Sequence, residues 1–258
     1  MIAVILAGGL GTRLSEETTV RPKPMVEVGG HPILWHIMKE YSAHGIDDFV
    51  VCCGYKGAVI KDYFATYALR TSDATFDLGT GQVTVHSTNA EKWRVTCVDT
   101  GVKTMTGGRL RRVQRFLGDE TFCFTYGDGV SDVDISESIR FHRRHGLLAT
   151  MTAVQPPGRF GAIALSEGRT TVEHFKEKPD GDGAWVNGGY FVLEPEVVEF
   201  VTDDSTVWEQ DPLRDLAYKG ELAAYRHGGF WQPMDTINDR DKLEGLWNTG
   251  QALWKVWN

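Results

Sequence analysis

The chain has 258 residues, of which 41% are hydrophobic and 24% charged, as in an ordinary globular protein. Its net charge of −8 argues against nucleic acid as a partner, because nucleic-acid-binding proteins present basic surfaces. No apolar run reaches the ~18 residues of a membrane helix, and the N-terminal apolar stretch is too short for a signal peptide. Its four cysteines lie in apolar runs without a C-x-x-C pair, which predicts buried free thiols and a cytoplasmic location.

Strand and helix patterns alternate through the first 154 residues. Strands are predicted at 2–7, 49–53, 93–98, 122–126 and 148–154, and helices at 32–44, 57–70, 107–117 and 134–145. This order indicates an α/β fold with a largely parallel sheet covered by helices on both faces. Residues 71–92 are polar and are interpreted as a flexible loop or a small hairpin.

The second half is richer in strands. Strands are predicted at 162–165, 171–176, 185–193, 221–226 and 230–235, and helices at 195–201, 212–219 and 237–248. No repeat or linker divides the chain, so we expect one domain over residues 1–258. The last twelve residues contain Trp247, Trp254 and Trp257, which must pack on some surface. A neighbouring subunit is our hypothesis, and the chain's own domain is the alternative.

A glycine-rich turn follows the first strand. Residues 8–14 read Gly-Gly-Leu-Gly-Thr-Arg-Leu, and Lys23 stands between Pro22 and Pro24. The turn lacks the Gly-Lys-Ser/Thr of a P-loop and the third glycine of the dinucleotide fingerprint. Backbone N–H groups in such a turn can bind an anion, and Arg13 and Lys23 add cations for phosphate oxygens. A nucleoside triphosphate site is therefore the hypothesis, and a simple tight turn is the alternative.

Two aspartates follow predicted strands. Asp128, in Gly127-Asp128-Gly129, comes just after strand 122–126, at the edge where open α/β sheets bind ligands. Magnesium prefers one or two carboxylates together with phosphates and water, so Asp128 is a candidate metal ligand, with a plain turn as the alternative. Asp235 is the second candidate, and the alternative is that it caps the helix that follows.

The glycine turn, Lys23 and its flanking prolines resemble the sugar-phosphate nucleotidyltransferases, and three further segments correspond to the sugar-phosphate contacts of that family. Glu177 and Lys178, before Pro179, could accept sugar hydroxyls and neutralise a phosphate, or could be an ordinary charged strand end. Asn187 and Gly188 interrupt an apolar strand, which indicates a bulge or close ligand approach, or else a hairpin turn. Gly161 follows Phe160 in a third segment.

The segment 99–109 corresponds to the loop that faces the nucleobase in the family that these motifs resemble, and the resemblance makes it the candidate for base selection. Arg109 is predicted in the first turn of a helix, where a cation is disfavoured by ~0.3–1 kcal/mol, and this hints at a ligand. Its guanidinium could donate to the acceptors of cytosine, while a threonine hydroxyl such as that of Thr104, or a backbone carbonyl, would receive the amino group.

Taken together, these motifs resemble the sugar-phosphate nucleotidyltransferases, and the resemblance extends from residue 1 to about residue 247. It implies a Rossmann-like, largely parallel mixed sheet flanked by helices, with residues 1–130 mainly for the nucleotide, 131–240 mainly for the sugar phosphate, and 241–258 as a C-terminal helix and tail. It also implies Mg²⁺ and a homo-oligomer, a trimer or a hexamer. The site residues it implies are Arg13, Lys23 and Asp128 for catalysis; Leu6, Ala7, Gly8, Gly9, Gly11, Thr12, Arg13, Lys23, Thr104, Arg109 and Gly127 for the nucleotide; Gly161, Glu177, Lys178, Asn187 and Gly188 for the sugar phosphate; and Asp128 and Asp235 for the metal.

A narrower set of motifs is similar to the cytidylyl-transferring members of this family. These are Met-Thr-Gly-Gly-Arg-Leu at 105–110, Tyr-Gly-Asp-Gly-Val at 126–130 and Phe-Trp-Gln-Pro-Met-Asp-Thr at 230–236. The resemblance implies CTP and α-D-glucose 1-phosphate as substrates and CDP-glucose, a precursor of bacterial surface polysaccharide, as product. The alternatives are a sibling enzyme that uses UTP or dTTP and a non-catalytic nucleotide-sugar sensor.

Overall fold

The computed structural model describes residues 1–11, 14–156, 162–165, 172–176 and 184–257. The strands in these ranges are β1 (Ala3–Ala7), β2 (Glu27–Val28), β3 (His31–Pro32), β4 (Asp48–Cys53), β5 (Ala74–Asp77), β6 (Gln82–Val85), β7 (Arg94–Asp99), β8 (Phe122–Tyr126), β9 (Gly129–Ser131), β10 (Ala149–Val154), β11 (Ala162–Leu165), β12 (Val172–Lys176), β13 (Val186–Leu193), β14 (Leu222–His227) and β15 (Trp231–Pro233). The α-helices are α1 (Ser15–Thr18), α2 (Ile33–Ala43), α3 (Gly57–Ala65), α4 (Tyr67–Arg70), α5 (Thr106–Val113), α6 (Ile135–His145), α7 (Asp211–Tyr218) and α8 (Ile237–Asn248).

A seven-stranded sheet in the order β14-β10-β13-β8-β1-β4-β7 forms the centre of the molecule. The pairs β8–β1, β1–β4, β4–β7 and β10–β14 are parallel, whereas β13 runs antiparallel to both of its neighbours. This confirms the predicted α/β class and the largely parallel, mixed sheet. The parallel register brings the carboxyl ends of β1, β4 and β8 to one edge, where Ala7 pairs with Cys53 and Leu6 with Tyr126.

Helices cover both faces of the sheet because alternate residues of each strand point to opposite sides. In β1, Ala3, Ile5 and Ala7 belong to the core beneath α2. Val4 and Leu6 belong to the other core, beneath α5. Both faces are buried, which explains why this strand reads as an uninterrupted apolar run.

Several elements differ from the sequence-based expectation. The predicted helix 57–70 divides at Thr66 into α3 and α4, and the predicted helix at 195–201 is a 3-10 helix, Pro195–Phe200. Residues 71–92 contain the β5–β6 hairpin, so the hairpin alternative is confirmed. The predicted strand 230–235 is only the three-residue β15, whose partner β9 was not predicted.

The C-terminal tail packs on its own chain, so the hypothesis of a neighbouring subunit is wrong for the buried Trp254. This residue is fully buried, and its Nε1–H donates to Nδ1 of His36 on α2 at 3.3 Å. On the other side of the imidazole, Nε2 donates to the carbonyl of Val28 at 2.8 Å. Because both ring nitrogens are engaged in this way, His36 is held as a neutral tautomer, and burial lowers its pKa to about 4.

The cysteines are free, as predicted. Cys52, Cys53 and Cys123 are buried, and Cys97 is half-buried. Among the helices that the structure describes, none has the length and apolar character to cross a membrane.

Candidate active site

A cavity of about 800 Å³ opens at the carboxyl edge of the sheet, beside the ends of β1 and β8. The predicted site residues that line it are Leu6, Ala7, Gly8, Gly9, Gly11, Lys23, Thr104, Arg109, Gly127, Asp128 and Asp235. The structure thus brings the glycine turn, Lys23, segment 99–109 and both aspartates to one cavity. The volume is in the range of pockets that bind small molecules.

Lys23 lies between the two aspartates. Its ammonium donates to Oδ2 of Asp128 and to Oδ1 of Asp235, both at 2.7 Å. Lys23 is only 8% exposed, and it begins a short 3-10 helix that is preceded by Pro22. Since a poorly solvated cation requires paired charge, the two carboxylates compensate for the burial of this ammonium.

Two short strands set the positions of the aspartates. Asp128 lies directly before β9, which pairs antiparallel with β15, so that Gly129 is opposite Pro233. The N–H of Met234 donates to the carbonyl of Asp128 at 2.8 Å. We call the pair β9–β15 the aspartate ribbon, because one aspartate adjoins its first strand and Asp235 follows its second.

Asp235 is not the cap of α8, so that alternative is wrong. Thr236 is the N-cap: its hydroxyl accepts the N–H of Asp239, and the Asp239 carboxylate accepts the N–H of Thr236 at 2.8 Å. This reciprocal capping box satisfies the first turn without the Asp235 side chain, whose carboxylate reaches Lys23 instead.

The donor set fits Mg²⁺. Two carboxylates within reach of a single ammonium can also share one divalent ion, and carboxylate oxygens are the ligands that magnesium prefers. In the described part of the chain no group of three or more His, Cys, Asp or Glu side chains could hold a metal. A Mg²⁺ at Asp128 and Asp235 would therefore need phosphate and water oxygens to complete its ligands.

The three glycines of the turn have different reasons to be there. A Cβ at Gly8 would lie 2.0 Å from Nη1 of Arg109, so packing excludes any side chain. Gly11 has a φ of +64°, which favours glycine. A Cβ at Gly9 would meet nothing within 4 Å, so the backbone there borders open space on the cavity wall.

The guanidinium of Arg109 joins three loops of the protein. Nη1 donates to Oγ1 of Thr100 at 2.7 Å and to the carbonyl of Cys53 at 3.3 Å. Nη2 donates to the carbonyls of Gly8 at 3.0 Å and Val102 at 3.4 Å. These acceptors explain why an arginine is stable in the first turn of α5, where the sequence hinted at a ligand. Burial lowers its pKa, and a contact with a nucleobase stays a prediction.

Asn187 and Gly188 reach the cavity only indirectly. Nδ2 of Asn187 donates to the hydroxyl of Tyr126, which lines the cavity, at 3.0 Å. The carbonyl of Gly188 accepts Nε1–H of Trp231 at 2.8 Å. Both residues lie inside β13, where the register with β10 shifts and Gly189 has a φ of +81°. They therefore belong to a bulged strand, and the hairpin alternative is wrong.

The remaining predicted site residues lie outside the described residues. These are Thr12, Arg13, Gly161, Glu177 and Lys178.

Sequence reasoning missed Glu209 on the cavity wall. Its Oε2 accepts the hydroxyl of Thr106, the first residue of α5, at 2.6 Å. Burial, helped by the nearby Glu209 carboxylate, raises the pKa of the Tyr126 phenol well above its usual range. Glu209 has no motif of its own, since it reaches the cavity only after the segment before α7 packs on α5. Thr106, Glu209, Tyr126 and Asn187 thus form a chain of neighbouring side chains from the start of α5 to β13.

The fold and this cavity define an α/β protein with a small-molecule pocket at the carboxyl edge of its sheet. Residues 2–231 match the family model described as "Nucleotidyl transferase", and the chain belongs to that family.

Two curated relatives and one solved structure show which members of the family the chain resembles. The chain is 61% identical over 258 residues to the glucose-1-phosphate cytidylyltransferase of Salmonella typhi, covering 100% of both chains. It is 43% identical over 258 residues to the probable glucose-1-phosphate cytidylyltransferase of Bacillus subtilis, again covering 100% of both. A putative glucose-1-phosphate thymidylyltransferase from Bacillus anthracis has a similar fold, with a TM-score of 0.69, 18% identity and 95% of each chain covered.

Proposed function

We propose that this chain transfers the cytidylyl group of CTP to α-D-glucose 1-phosphate, giving CDP-glucose and pyrophosphate. The observation that carries the proposal is the convergence of Lys23, Asp128 and Asp235 at the mouth of one glycine-lined cavity. The 61% identity over the full length to a glucose-1-phosphate cytidylyltransferase supports the choice of both substrates.

The reaction is a displacement at the α-phosphorus. An oxygen of the sugar phosphate forms the new bond to phosphorus, the bond to the bridging oxygen breaks, and pyrophosphate leaves with that electron pair. The nucleophile is already an anion, so no strong base is needed. The difficulty is the repulsion between two anions, and catalysis consists of positioning and electrostatic stabilisation.

Charge on the protein answers that difficulty. Lys23 lines the cavity where it contacts both aspartates, and it neutralises the triphosphate and the departing pyrophosphate together with Arg13. Lys178 neutralises the sugar phosphate. Asp128 and Asp235 would hold a Mg²⁺, which when bound would supply charge neutralisation to the triphosphate. Backbone N–H groups around Gly9 approach the phosphates where no side chain intervenes.

Different segments recognise the two substrates. The nucleotide lies against Leu6, Ala7, Gly8, Gly11 and Gly127, and its base against Thr104 and the loop that Arg109 holds. The hexose lies towards the side of Asn187 and Gly188. The family resemblance assigns Thr12 to the nucleotide and Gly161 and Glu177 to the hexose. Tyr126 stands between them, because it lines the cavity and accepts a hydrogen bond from Asn187.

A nucleotide panel tests the reaction. Pyrophosphate release is measured with CTP, UTP, dTTP and GTP, each with glucose 1-phosphate. We expect CTP to be used with the highest kcat/KM. A preference for UTP or dTTP would identify a sibling enzyme, and binding of CDP-glucose without release of pyrophosphate from any nucleotide would identify a sensor.

The assembly is a homo-oligomer in which the β5–β6 hairpin contacts a second copy of the chain. Phe76 pairs with Val83, alternation places Val85 on the same face of the hairpin, and Leu78 lies in the turn after β5. These four side chains are between 46% and 93% exposed. An apolar face of a two-stranded ribbon is unstable in water by itself, which supports a partner surface.

The enzyme resides in the cytoplasm. The free thiols, including the neighbouring Cys53 and Cys97, support a reducing compartment, where such thiols persist. Its substrates are cytoplasmic metabolites in this scheme.

A further inference from the structure

Glu40 is a buried acid that the proposed reaction does not use. It lies on α2, on the core side of the sheet, and is 1% exposed. We propose that Glu40 is a positioning residue that fixes the aspartate ribbon, and with it the spacing of Asp128 and Asp235. The inference rests on the proposed function, because it assumes that these two aspartates hold the metal.

The hydrogen bonds that the structure describes for the Glu40 side chain go to the ribbon and to β13 of the central sheet. Oε1 accepts the N–H of Ser131, the last residue of β9, at 3.3 Å. Oε2 lies 2.8 Å from the hydroxyl of Tyr190 on β13. The same hydroxyl lies 3.3 Å from the carbonyl of Gly129, the first residue of β9. Glu40 and Tyr190 therefore hold both ends of β9.

The Tyr190 hydroxyl has one proton but lies near two oxygen atoms, which bears on whether Glu40 is protonated. Desolvation raises the pKa of Glu40 well above its usual range, which favours the neutral acid. A neutral acid can donate its proton to the Tyr190 oxygen, which leaves the phenolic proton free to bond the Gly129 carbonyl. Both 2.8 Å and 3.3 Å contacts are then hydrogen bonds with one proton each.

By fixing β9, Glu40 and Tyr190 also fix the positions of Asp128 and Asp235. Asp128 immediately precedes Gly129, and its carbonyl accepts the N–H of Met234, the residue before Asp235. A shift of β9 would therefore change the distance between the two carboxylates. Groups that orient metal ligands from behind commonly change metal affinity or activity about 10–100-fold when they are removed.

Three substitutions separate positioning from packing. Glu40→Gln keeps the shape, an acceptor for Ser131 and a donor for Tyr190. Glu40→Met keeps an unbranched side chain of similar length but removes both hydrogen bonds. Tyr190→Phe keeps the ring and removes only the hydroxyl, so it serves as the second test if Glu40→Met fails to fold.

Two measurements are made on each folded variant. The first is the Mg²⁺ concentration for half-maximal pyrophosphate release. The second is binding of Mn²⁺ in the presence of CTP without the sugar phosphate, followed by electron paramagnetic resonance. We expect Glu40→Gln to match the wild type in both, and Glu40→Met and Tyr190→Phe to need about tenfold more metal in both.

Two further variants make the result decisive. Trp254→Phe, in the tail, is expected to lower stability without changing the metal requirement. Asp128→Asn tests the metal site itself, and unchanged Mn²⁺ binding in that variant would overturn the proposed function. If Asp128→Asn loses metal while Glu40→Met and Tyr190→Phe bind it like the wild type, or if Glu40→Gln is as impaired as Glu40→Met, the positioning role is wrong.

Discussion

The ammonium of Lys23 lies 2.7 Å from the carboxylate of Asp235, a residue 212 positions later in the chain. This contact joins the segment after the glycine turn to the end of the aspartate ribbon. Because the same ammonium also bonds Asp128, a single lysine fixes the point at which the two carboxylates converge. The proposed chemistry depends on this point.

Substitution of Lys23 should reduce turnover strongly. Lys23→Met removes the ammonium that bonds both aspartates, so the two carboxylates repel each other and the triphosphate more strongly. We expect kcat/KM for CTP to fall at least about 100-fold, the scale for loss of one transition-state-stabilising group. Lys39→Met is the matched control, since Lys39 pairs with Glu91 on α2's outer side. Equal activities of the two variants would contradict the role of Lys23.

The glycine turn allows a comparison of neighbouring positions. Gly8→Ala would place a methyl group 2.0 Å from the guanidinium of Arg109, whereas Gly9→Ala would meet nothing within 4 Å. We expect Gly8→Ala to lower the melting temperature clearly and Gly9→Ala to leave it almost unchanged, as thermal unfolding without ligand can measure. Equal stability of the two variants would show that the turn does not pack on Arg109 in this way.

Arg109 should matter to the fold before any nucleotide binds. Arg109→Met removes hydrogen bonds to buried acceptors, including the Gly8 and Cys53 carbonyls, so the free energy of unfolding should fall by about 1–3 kcal/mol or more. Lysine lacks the planar, forked guanidinium of arginine, so Arg109→Lys should not restore the free energy of unfolding. Urea titration of the ligand-free chain measures this. A variant of normal stability with weakened CTP binding would instead indicate a direct contact with the base.

The buried His36 predicts a loss of stability in acid. In the unfolded chain its pKa is near 6.5, whereas in the fold it is about 4. As the pH falls from 6.5 towards 4, His36 binds a proton in the unfolded chain but stays neutral in the folded chain. The free energy of unfolding therefore decreases. The shift corresponds to about 3 kcal/mol in total, reached near pH 4.

His36→Gln provides the comparison for that loss. The difference in unfolding free energy between wild type and variant should shrink as the pH is lowered through this window, because only the wild type carries this histidine. Urea titrations at several pH values measure the difference. A constant difference from pH 7 to pH 4 would contradict the buried, neutral imidazole.

The hairpin face tests the assembly. Phe76→Glu with Val83→Lys places charges on the apolar face, and we expect the oligomer to dissociate in sedimentation velocity. The control is Thr75→Glu with Thr84→Lys. Thr75 and Thr84 pair with each other across the two strands, and their side chains lie on the other face of the hairpin. Dissociation by both double variants, or by neither, would mean that this face is not the contact.

Local patterns predicted most of the fold. The apolar run of β1 and the helical spacing of α2 are signals within a few residues, and both elements form close to their expected positions. The β9 strand was missed because three residues carry no periodicity, and its pairing with β15 is a tertiary contact. The sequence alone does not distinguish a neighbouring subunit from the chain's own domain as the surface under the tail, because the partner of Trp254, His36, lies 218 positions away.

The site was predictable where a motif carried it. The glycine turn, Lys23 and Asp128 have local sequence signals, and the family resemblance supplied Asp235 and the sugar contacts. Glu209 and Glu40 have no such signal, because their roles appear only when helices and strands pack together. Arg109 was noticed for its unfavourable helix position, but the backbone carbonyls that it bonds could not be inferred from spacing.

The most direct test of the account is the metal-dependent rate of a single turnover in Asp128→Asn and Asp235→Asn, each isosteric with the wild type. With CTP and glucose 1-phosphate bound, the account predicts that both variants release pyrophosphate at least about 100-fold more slowly than the wild type while keeping its fold. Wild-type rates in both variants at limiting Mg²⁺ would contradict the claim that these two carboxylates form the reaction centre.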